Sequence, residues 1–170
     1  MEKYLENAKH FIALFHPYIF SCRTPHDYSK AVRVFLKTHP SHPIIHISNG
    51  ITRVALIGPD FVVKINYDDY EVETFGGGEE EIAFYEMAKS EGMAHLFAPI
   101  TRFRYGGKPF YIMPRVHGID ECREEDATSY MTDEERDWCY EHELHDLHSG
   151  NYGFEDGNVV IFDYACYDRD

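Results

Sequence analysis

The chain has 170 residues, of which 44% are hydrophobic and 15% aromatic. This is enough apolar material for one packed domain or two small lobes, and it excludes a disordered chain. Thirty acidic against sixteen basic residues give a formal net charge of −14, which argues against direct binding to nucleic-acid phosphates. The charge favours a basic partner, and it is also compatible with a mimic of nucleic acid.

The cysteines and the N-terminus indicate a cytoplasmic protein. The four cysteines lie far apart without a CxxC pair, and no signal peptide is recognisable, so we expect reduced thiols at Cys22, Cys122, Cys139 and Cys166. No stretch approaches the ~20 apolar residues that a membrane helix needs, so we expect no membrane contact.

Two amphipathic helices are predicted first. Apolar side chains recur at helical spacing from Tyr4 to Phe15. A second such pattern runs from Tyr28 to Leu36, begins at a capping Thr24-Pro25 and stops near Pro40. Both apolar faces are expected to pack in a core.

The pattern then changes to β-branched runs. "PIIHIS", "ITRVALIG" and "DFVVKINY", separated by Asn-Gly and Gly-Pro-Asp, predict three strands of an antiparallel meander. A helix entered through glycines follows, with inward positions expected at Ile82, Phe84, Tyr85 and Ala88. "FAPITRFRY" and "KPFYIMPRV", which flank a Gly-Gly turn, predict another hairpin.

An acidic band runs from Ile119 to Asp146, with twelve acidic and two basic residues. Inside it, "MTDEERDWCYEHEL" predicts a helix with a threonine cap and an acidic first turn. Further on, "YGF", "EDGN" and "VVIFDY" predict a hairpin, because Asp-Gly between apolar runs favours a tight turn. The band is either a docking surface for a basic partner or a solvated face.

Three histidines within this last part suggest a zinc site. His142, His145 and His148 are spaced by three residues around Asp146, and imidazole is a common zinc ligand. However, Ser149-Gly150-Asn151 breaks a helix within a turn, and neither HExxH nor paired cysteines support a metal. We therefore interpret the histidines as groups that order a loop.

The same segment fits phosphoryl transfer better. That reaction needs a cation on the nucleotide phosphates, oxygen ligands for Mg²⁺ and a carboxylate near the attacking hydroxyl. Asp146, Asn151 and Asp163 occur in the order Asp-x-x-x-x-Asn, hairpin, Asp. Upstream, Lys64 in a predicted strand and Glu81 in the next helix could form the ion pair that holds the α- and β-phosphates. The alternatives are a lysine whose stem packs on the strand, a solvated glutamate and a pair of loop-capping residues.

With these elements in this order, the chain resembles the protein-kinase-like superfamily over roughly residues 45–167. "DLHSGNYGFEDGNVVIFD" is similar to the catalytic loop of aminoglycoside-type phosphotransferases and of the early serine/threonine kinases of short-tailed bacteriophages. The resemblance implies an α+β, two-lobed fold. Its expected parts are an N-terminal helical extension (1–42), an N-lobe with an antiparallel sheet (43–116) and a strongly truncated C-lobe (117–170).

The resemblance also implies ATP and Mg²⁺ as cofactors and a role for each site residue. The implied roles are a catalytic base at Asp146, Mg²⁺ ligands at Asn151 and Asp163, a phosphate-holding Lys64 braced by Glu81, phosphate cover from Gly50, adenine contacts from Met113 to Val116, and a γ-phosphate hydrogen bond from His148.

Three departures from the family pattern bear on function. The glycine loop keeps one glycine of the usual three, Ala165 replaces the glycine of Asp-Phe-Gly, and the sequence ends seven residues after Asp163. We therefore expect no activation segment and no helical platform for a peptide. His145 stands where regulated kinases carry the arginine that reads a phosphorylated activation loop.

Two functions are left open. The first is a compact protein serine/threonine kinase, or a kinase of small molecules, whose acceptor is held by the N-terminal helices, a partner protein or a second copy of the chain. The second is a pseudokinase or acidic inhibitor that occupies a partner in the cytoplasm, which is the host's if the protein is phage-encoded. The joint presence of Lys64, Glu81, Asp146, Asn151 and Asp163 favours the first.

Overall fold

The computed structural model describes residues 3–42, 44, 46–50, 52–67, 77–118 and 125–164. The elements in chain order are α1 (Lys3–Ile19), α2 (Pro25–Thr38), β1 (His46–Asn49), β2 (Arg53–Ile57), β3 (Phe61–Asn66), α3 (Gly78–Ser90), β4 (Thr101–Tyr105), β5 (Lys108–Pro114), β6 (His117–Gly118), α4 (Asp133–Glu141), β7 (Tyr152–Glu155) and β8 (Asn158–Ile161). The chain divides into a first compact unit, Met1–Gly78 with Thr101–Arg115, and a second, Glu79–Ile100 with Val116–Asp170. The predictions for Cys122, Ala165 and Cys166, and for the acidic band at 119–124, lie outside the described residues.

The first unit contains a five-stranded antiparallel sheet with the order β1-β2-β3-β5-β4. Its first three strands form the predicted meander, and β4 and β5 form the predicted hairpin. The Gly-Gly turn sets the register of that hairpin, because Gly106 and Gly107 adopt φ of 58° and 84°, which other residues rarely tolerate. Tyr105 consequently faces Lys108.

Both N-terminal helices pack on this sheet. α1 contacts β3, β4 and β5, and α2 contacts α1 and β2. The apolar positions that predict α1 are its buried face, where Phe11 stacks on Phe61 of β3 with ring centroids 5.7 Å apart. A capping box between Thr24 and Asp27 starts α2 as predicted. Each buried aromatic side chain contributes about 1.5–3 kcal/mol, so the helices and the sheet stabilise one another through one core.

The second unit packs α3 and α4 beside a three-stranded sheet with the order β6-β7-β8. Its centre is an aromatic cluster of Phe84, Phe97, Trp138 and Tyr164, with neighbouring ring centroids 5.1–5.9 Å apart. A capping box at Thr132 starts α4, as its sequence predicts.

The β7–β8 hairpin is confirmed together with its turn. Asp156 and Gly157 adopt φ of 50° and 85°, the two positive values of a type I′ turn. Strand β6 was not predicted. It pairs with β7 because Gly153 has no side chain; a Cβ there would lie 2.3 Å from the carbonyl oxygen of His117.

Along α3, the predicted inward face is only partly confirmed. Ala88 is buried, whereas Ile82, Phe84 and Tyr85 are half-buried. In the part of the chain that the structure covers, no helix combines the length and apolar character that crossing a membrane requires.

Candidate functional site

The loop between α4 and β7 is anchored by two buried leucines. Leu144 donates its N–H to the Cys139 carbonyl oxygen over 2.9 Å, and the carbonyl oxygen of Leu147 accepts the N–H of Ala127 over 2.9 Å. The side chains of Asp146 and His148, which flank Leu147, are 59% and 64% exposed. The leucines therefore fix the loop backbone while a carboxylate and an imidazole face solvent.

Asn151 ties this loop to the end of β8. Its side-chain Nδ2 donates to the backbone carbonyl oxygen of Asp146 over 2.9 Å, and the residue is only 8% exposed. Its own carbonyl oxygen accepts the N–H groups of Phe162 and Asp163 over 2.8 and 3.3 Å. The structure thus brings together Asp146, Asn151 and Asp163, which lie apart in sequence.

The His148 ring is held at Nδ1, and its Nε2 faces a carboxylate. Nδ1 accepts the N–H of Gly150 over 2.9 Å, and Nε2 lies 3.4 Å from Oδ1 of Asp146. An accepting Nδ1 carries no proton, so in the neutral ring the proton is on Nε2, on the side of Asp146. A Cβ at position 150 would lie 2.7 Å from Cε1 of the ring. Sequence reasoning treated Gly150 only as a helix breaker and missed this close approach.

The three histidines have separate partners. Nε2 of His142 lies 3.0 Å from Oε2 of Glu91, while His145 makes a ring contact with Tyr140 at 6.0 Å. In the part of the chain that the structure describes, no three side chains of His, Cys, Asp or Glu come close enough together to hold a metal ion. His142 thus serves to join α4 to the end of α3, and sequence reasoning missed its partner, which is 51 positions away.

Glu91 also binds the indole of Trp138, whose Nε1 donates to Oε2 over 2.7 Å. This hydrogen bond, with a smaller contribution from His142, lowers the pKa of Glu91 below its ordinary value. The carboxylate therefore joins α3 to α4 in its charged form.

The remaining predicted site residues divide between the two units. In the first, Lys64 lies on β3 opposite Tyr111 of β5, and its side chain is 4% exposed. Gly50 follows β1 and donates its N–H to the carbonyl oxygen of Arg53 over 2.9 Å. Met113, on β5, is buried opposite Val62.

Glu81 and Val116 belong to the second unit. Glu81 lies in α3 and is fully buried, so the alternative of a solvated helix residue is wrong. Lysine and glutamate are seldom buried unless they are paired, so these two positions are unusual. The Lys64–Glu81 ion pair stays a prediction.

The residue types at the loop are compatible with magnesium. Nδ2 of Asn151 donates a hydrogen bond within the loop, so Oδ1 is the side-chain atom that could bind a cation. Asp163, whose backbone N–H donates to the Asn151 carbonyl oxygen, supplies a carboxylate as a second ligand type. Mg²⁺ commonly takes one or two such protein ligands and completes its shell with water and phosphate oxygens. The donor set suits Mg²⁺ with a nucleotide better than zinc, which prefers nitrogen and sulfur.

Comparison with known proteins gives few matches. No protein-family model matches the chain, and no curated protein does. A structure of the bifunctional kinase-methyltransferase WbdD is similar at 14% identity and a TM-score of 0.39, covering 72% of this chain and 34% of that one. A structure of WbdD with the kinase inhibitor LY294002 gives 16% identity and a TM-score of 0.34, with coverages of 72% and 32%. The chain spans about a third of the length of these structures.

Proposed function

We propose that this protein is an ATP- and Mg²⁺-dependent phosphotransferase of the protein-kinase-like type that acts on a serine or threonine hydroxyl of a protein. One observation carries the proposal. Asn151 hydrogen-bonds the Asp146 backbone through its side chain and receives the Asp163 N–H through its carbonyl oxygen. Hydrogen bonds therefore link the proposed base to the two proposed cation ligands, and phosphoryl transfer depends on such positioning.

In the proposed reaction, the exposed carboxylate of Asp146 orients the acceptor hydroxyl and takes its proton. The hydroxyl oxygen forms a bond to the γ-phosphorus as the bond to the β–γ bridging oxygen breaks, and ADP leaves. Asn151 and Asp163 would hold Mg²⁺, which neutralises charge on the phosphates when bound. The hydrogen bond from Asn151 Nδ2 to the Asp146 carbonyl oxygen would hold the backbone of this base in place.

Further residues named by the resemblance would hold the nucleotide. Lys64 would place a cation on the α- and β-phosphates, braced by Glu81, and Gly50 would cover them with its backbone. Met113 and Val116 would contact the adenine. The burial of the Lys64 and Glu81 side chains supports this assignment, because a strand lysine that only packs its stem keeps its charge in water.

The acceptor would be a basic segment of a protein in the cytoplasm. α4 and the loop after it expose acidic side chains close in sequence to Asp146, namely Asp133, Glu134, Asp137, Glu141 and Glu143. This surface would attract a basic chain and steer its hydroxyl toward the loop.

The same surface favours a second candidate function, a binding protein that occupies a basic partner without phosphorylating it. Tyr140, between the acidic residues of α4, is 75% exposed, and an exposed tyrosine among charges is typical of a contact residue. The two candidates differ in whether Asp146 matters.

The deciding experiment is transfer from γ-labelled ATP with Mg²⁺, with the protein alone and in a cell lysate. Asp146→Asn removes the proposed base, and Asp156→Asn is the matched control, because asparagine tolerates the φ of 50° in that turn. Label that appears with wild type and Asp156→Asn and disappears with Asp146→Asn supports the kinase. If wild type, Asp156→Asn and Asp146→Asn all leave the lysate proteins unlabelled, the kinase proposal is rejected. Capture of a partner by both wild type and Asp146→Asn would then support the binding protein.

A further inference from the structure

We propose that His148 is a positioning residue that holds the Asp146 carboxylate in the orientation needed for transfer, rather than a ligand of the phosphates. The inference rests on the proposed function, since it assigns a role within that site. It starts from three contacts of the loop, which involve the two ring nitrogens of His148 and its backbone carbonyl oxygen.

The first step is that the ring is fixed. Its Nδ1 accepts the Gly150 N–H over 2.9 Å, and the His148 carbonyl oxygen accepts the Asn151 N–H over 2.9 Å. The ring lies so close to the Gly150 Cα that a side chain at that position would overlap it. Rotation of the ring would break the Nδ1 bond, so the loop backbone sets the ring orientation.

The second step is that the fixed ring presents Nε2–H to Asp146. The Nε2 to Oδ1 distance of 3.4 Å exceeds that of an ordinary hydrogen bond, so the contact is an electrostatic bias on the carboxylate rotamer. Asn151 fixes the backbone of Asp146 and His148 acts on its side chain, so the base is held from two sides. Because Nδ1 already accepts the Gly150 N–H, a hydrogen bond to the γ-phosphate would have to use Nε2–H, the group that faces Asp146.

Two substitutions separate the ring contacts. In His148→Asn, the amide oxygen replaces Nδ1 and still accepts the Gly150 N–H, but nothing reaches Asp146. In His148→Gln, the amide nitrogen replaces Nε2 and still faces Asp146, but Nδ1 is lost. His26→Asn, at an exposed position of α2, is the control for a histidine outside the site.

The experiment measures kcat and KM for ATP, and amide hydrogen exchange at Gly150. We expect His148→Asn to lower kcat about tenfold with an unchanged KM for ATP and a protected Gly150 amide. We expect His148→Gln to lose amide protection yet keep a higher kcat than His148→Asn. His26→Asn should match wild type in all three quantities.

Four results would overturn the inference, wholly or in its catalytic part. A wild-type kcat in His148→Asn would show that Asp146 needs no such contact, and a raised KM with unchanged kcat would indicate a phosphate ligand. Equal Gly150 exchange in wild type and His148→Gln would show that the ring is not held, and this readout needs no activity. If wild type transfers no phosphate, the proposed function fails and the catalytic role of His148 fails with it, while the exchange rates still decide whether the ring is fixed.

Discussion

Replacing Asn151 by aspartate changes one donor into an acceptor at the centre of the candidate site. The side chain keeps its size, but Nδ2, which donates to the Asp146 carbonyl oxygen over 2.9 Å, becomes a charged oxygen. Position 151 is only 8% exposed, so the new carboxylate is poorly hydrated. We therefore expect a substantial loss of stability in the second unit, separate from any effect on transfer.

The size of this loss follows from two contributions. The lost hydrogen bond contributes about 1 kcal/mol, and burying the charge of the new carboxylate costs about 1–3 kcal/mol more. Repulsion between the carboxylate and the carbonyl oxygen acts in the same direction. The free energy of unfolding should fall by about 2–4 kcal/mol, and Tm by about 5–15 °C.

Urea unfolding followed by tryptophan fluorescence measures this directly. The single tryptophan, Trp138, lies in the aromatic cluster of the second unit, so its emission reports on the unit that contains Asn151. Asn158→Asp, at an exposed position of β8, adds the same charge and should change stability by less than about 0.5 kcal/mol. If Asn151→Asp were as stable as this control, the hydrogen bond would not hold the loop, and the argument from Asn151 to the candidate site would be wrong.

Three further predictions test other parts of the molecule. Lys64→Arg should lower phosphate transfer about hundredfold while the circular dichroism spectrum is kept, because a forked guanidinium cannot replace a point charge; near-normal transfer would remove Lys64 from the site. Gly153→Ala should reduce the free energy of unfolding by about 1–3 kcal/mol in urea, since its Cβ would lie 2.3 Å from the carbonyl oxygen of His117; an unchanged midpoint would mean that β6 contributes nothing. Trp138→Phe removes the bond that lowers the pKa of Glu91. A lowered pKa stabilises the fold above the unfolded value of about 4.5 and loses this effect as the pH falls through the folded value. The gap in Tm between wild type and Trp138→Phe should therefore narrow on acidification from pH 6 to pH 3, and a gap independent of pH would contradict the assignment.

Short-range features of this fold could be predicted because their causes lie within a few residues. The periodicity of Phe11 and its neighbours, the capping boxes at Thr24 and Thr132, and the Asp156-Gly157 turn each depend on local backbone geometry. Strand β6 cannot be predicted from the sequence because two residues are too few to show an alternating pattern. Its pairing with β7 also depends on a glycine at position 153, since a side chain there would clash with His117.

The candidate site also has a part that the sequence predicts and a part that it does not. The spacing of Asp146, Asn151 and Asp163 was visible in the sequence and predicted which residues belong together. The partners of the individual histidines were not visible, because a ring nitrogen bonds whichever group packing brings within about 3 Å. His142 and His148 occur in one periodic row, yet one binds Glu91 on α3 and the other the Gly150 backbone.

The sequence by itself determined the order and type of the helices and strands other than β6, and the residue types of the candidate site. These depend on side-chain periodicity, caps and turn residues, which act over one or two turns of chain. Tertiary structure alone decided that Asn151 joins Asp146 to Asp163, and that His148 faces a carboxylate while Gly150 holds its ring. Hydrogen bonds of this kind need two groups within a fraction of an ångström of the right place, and the packing of Leu144, Leu147 and β8 contributes to that precision.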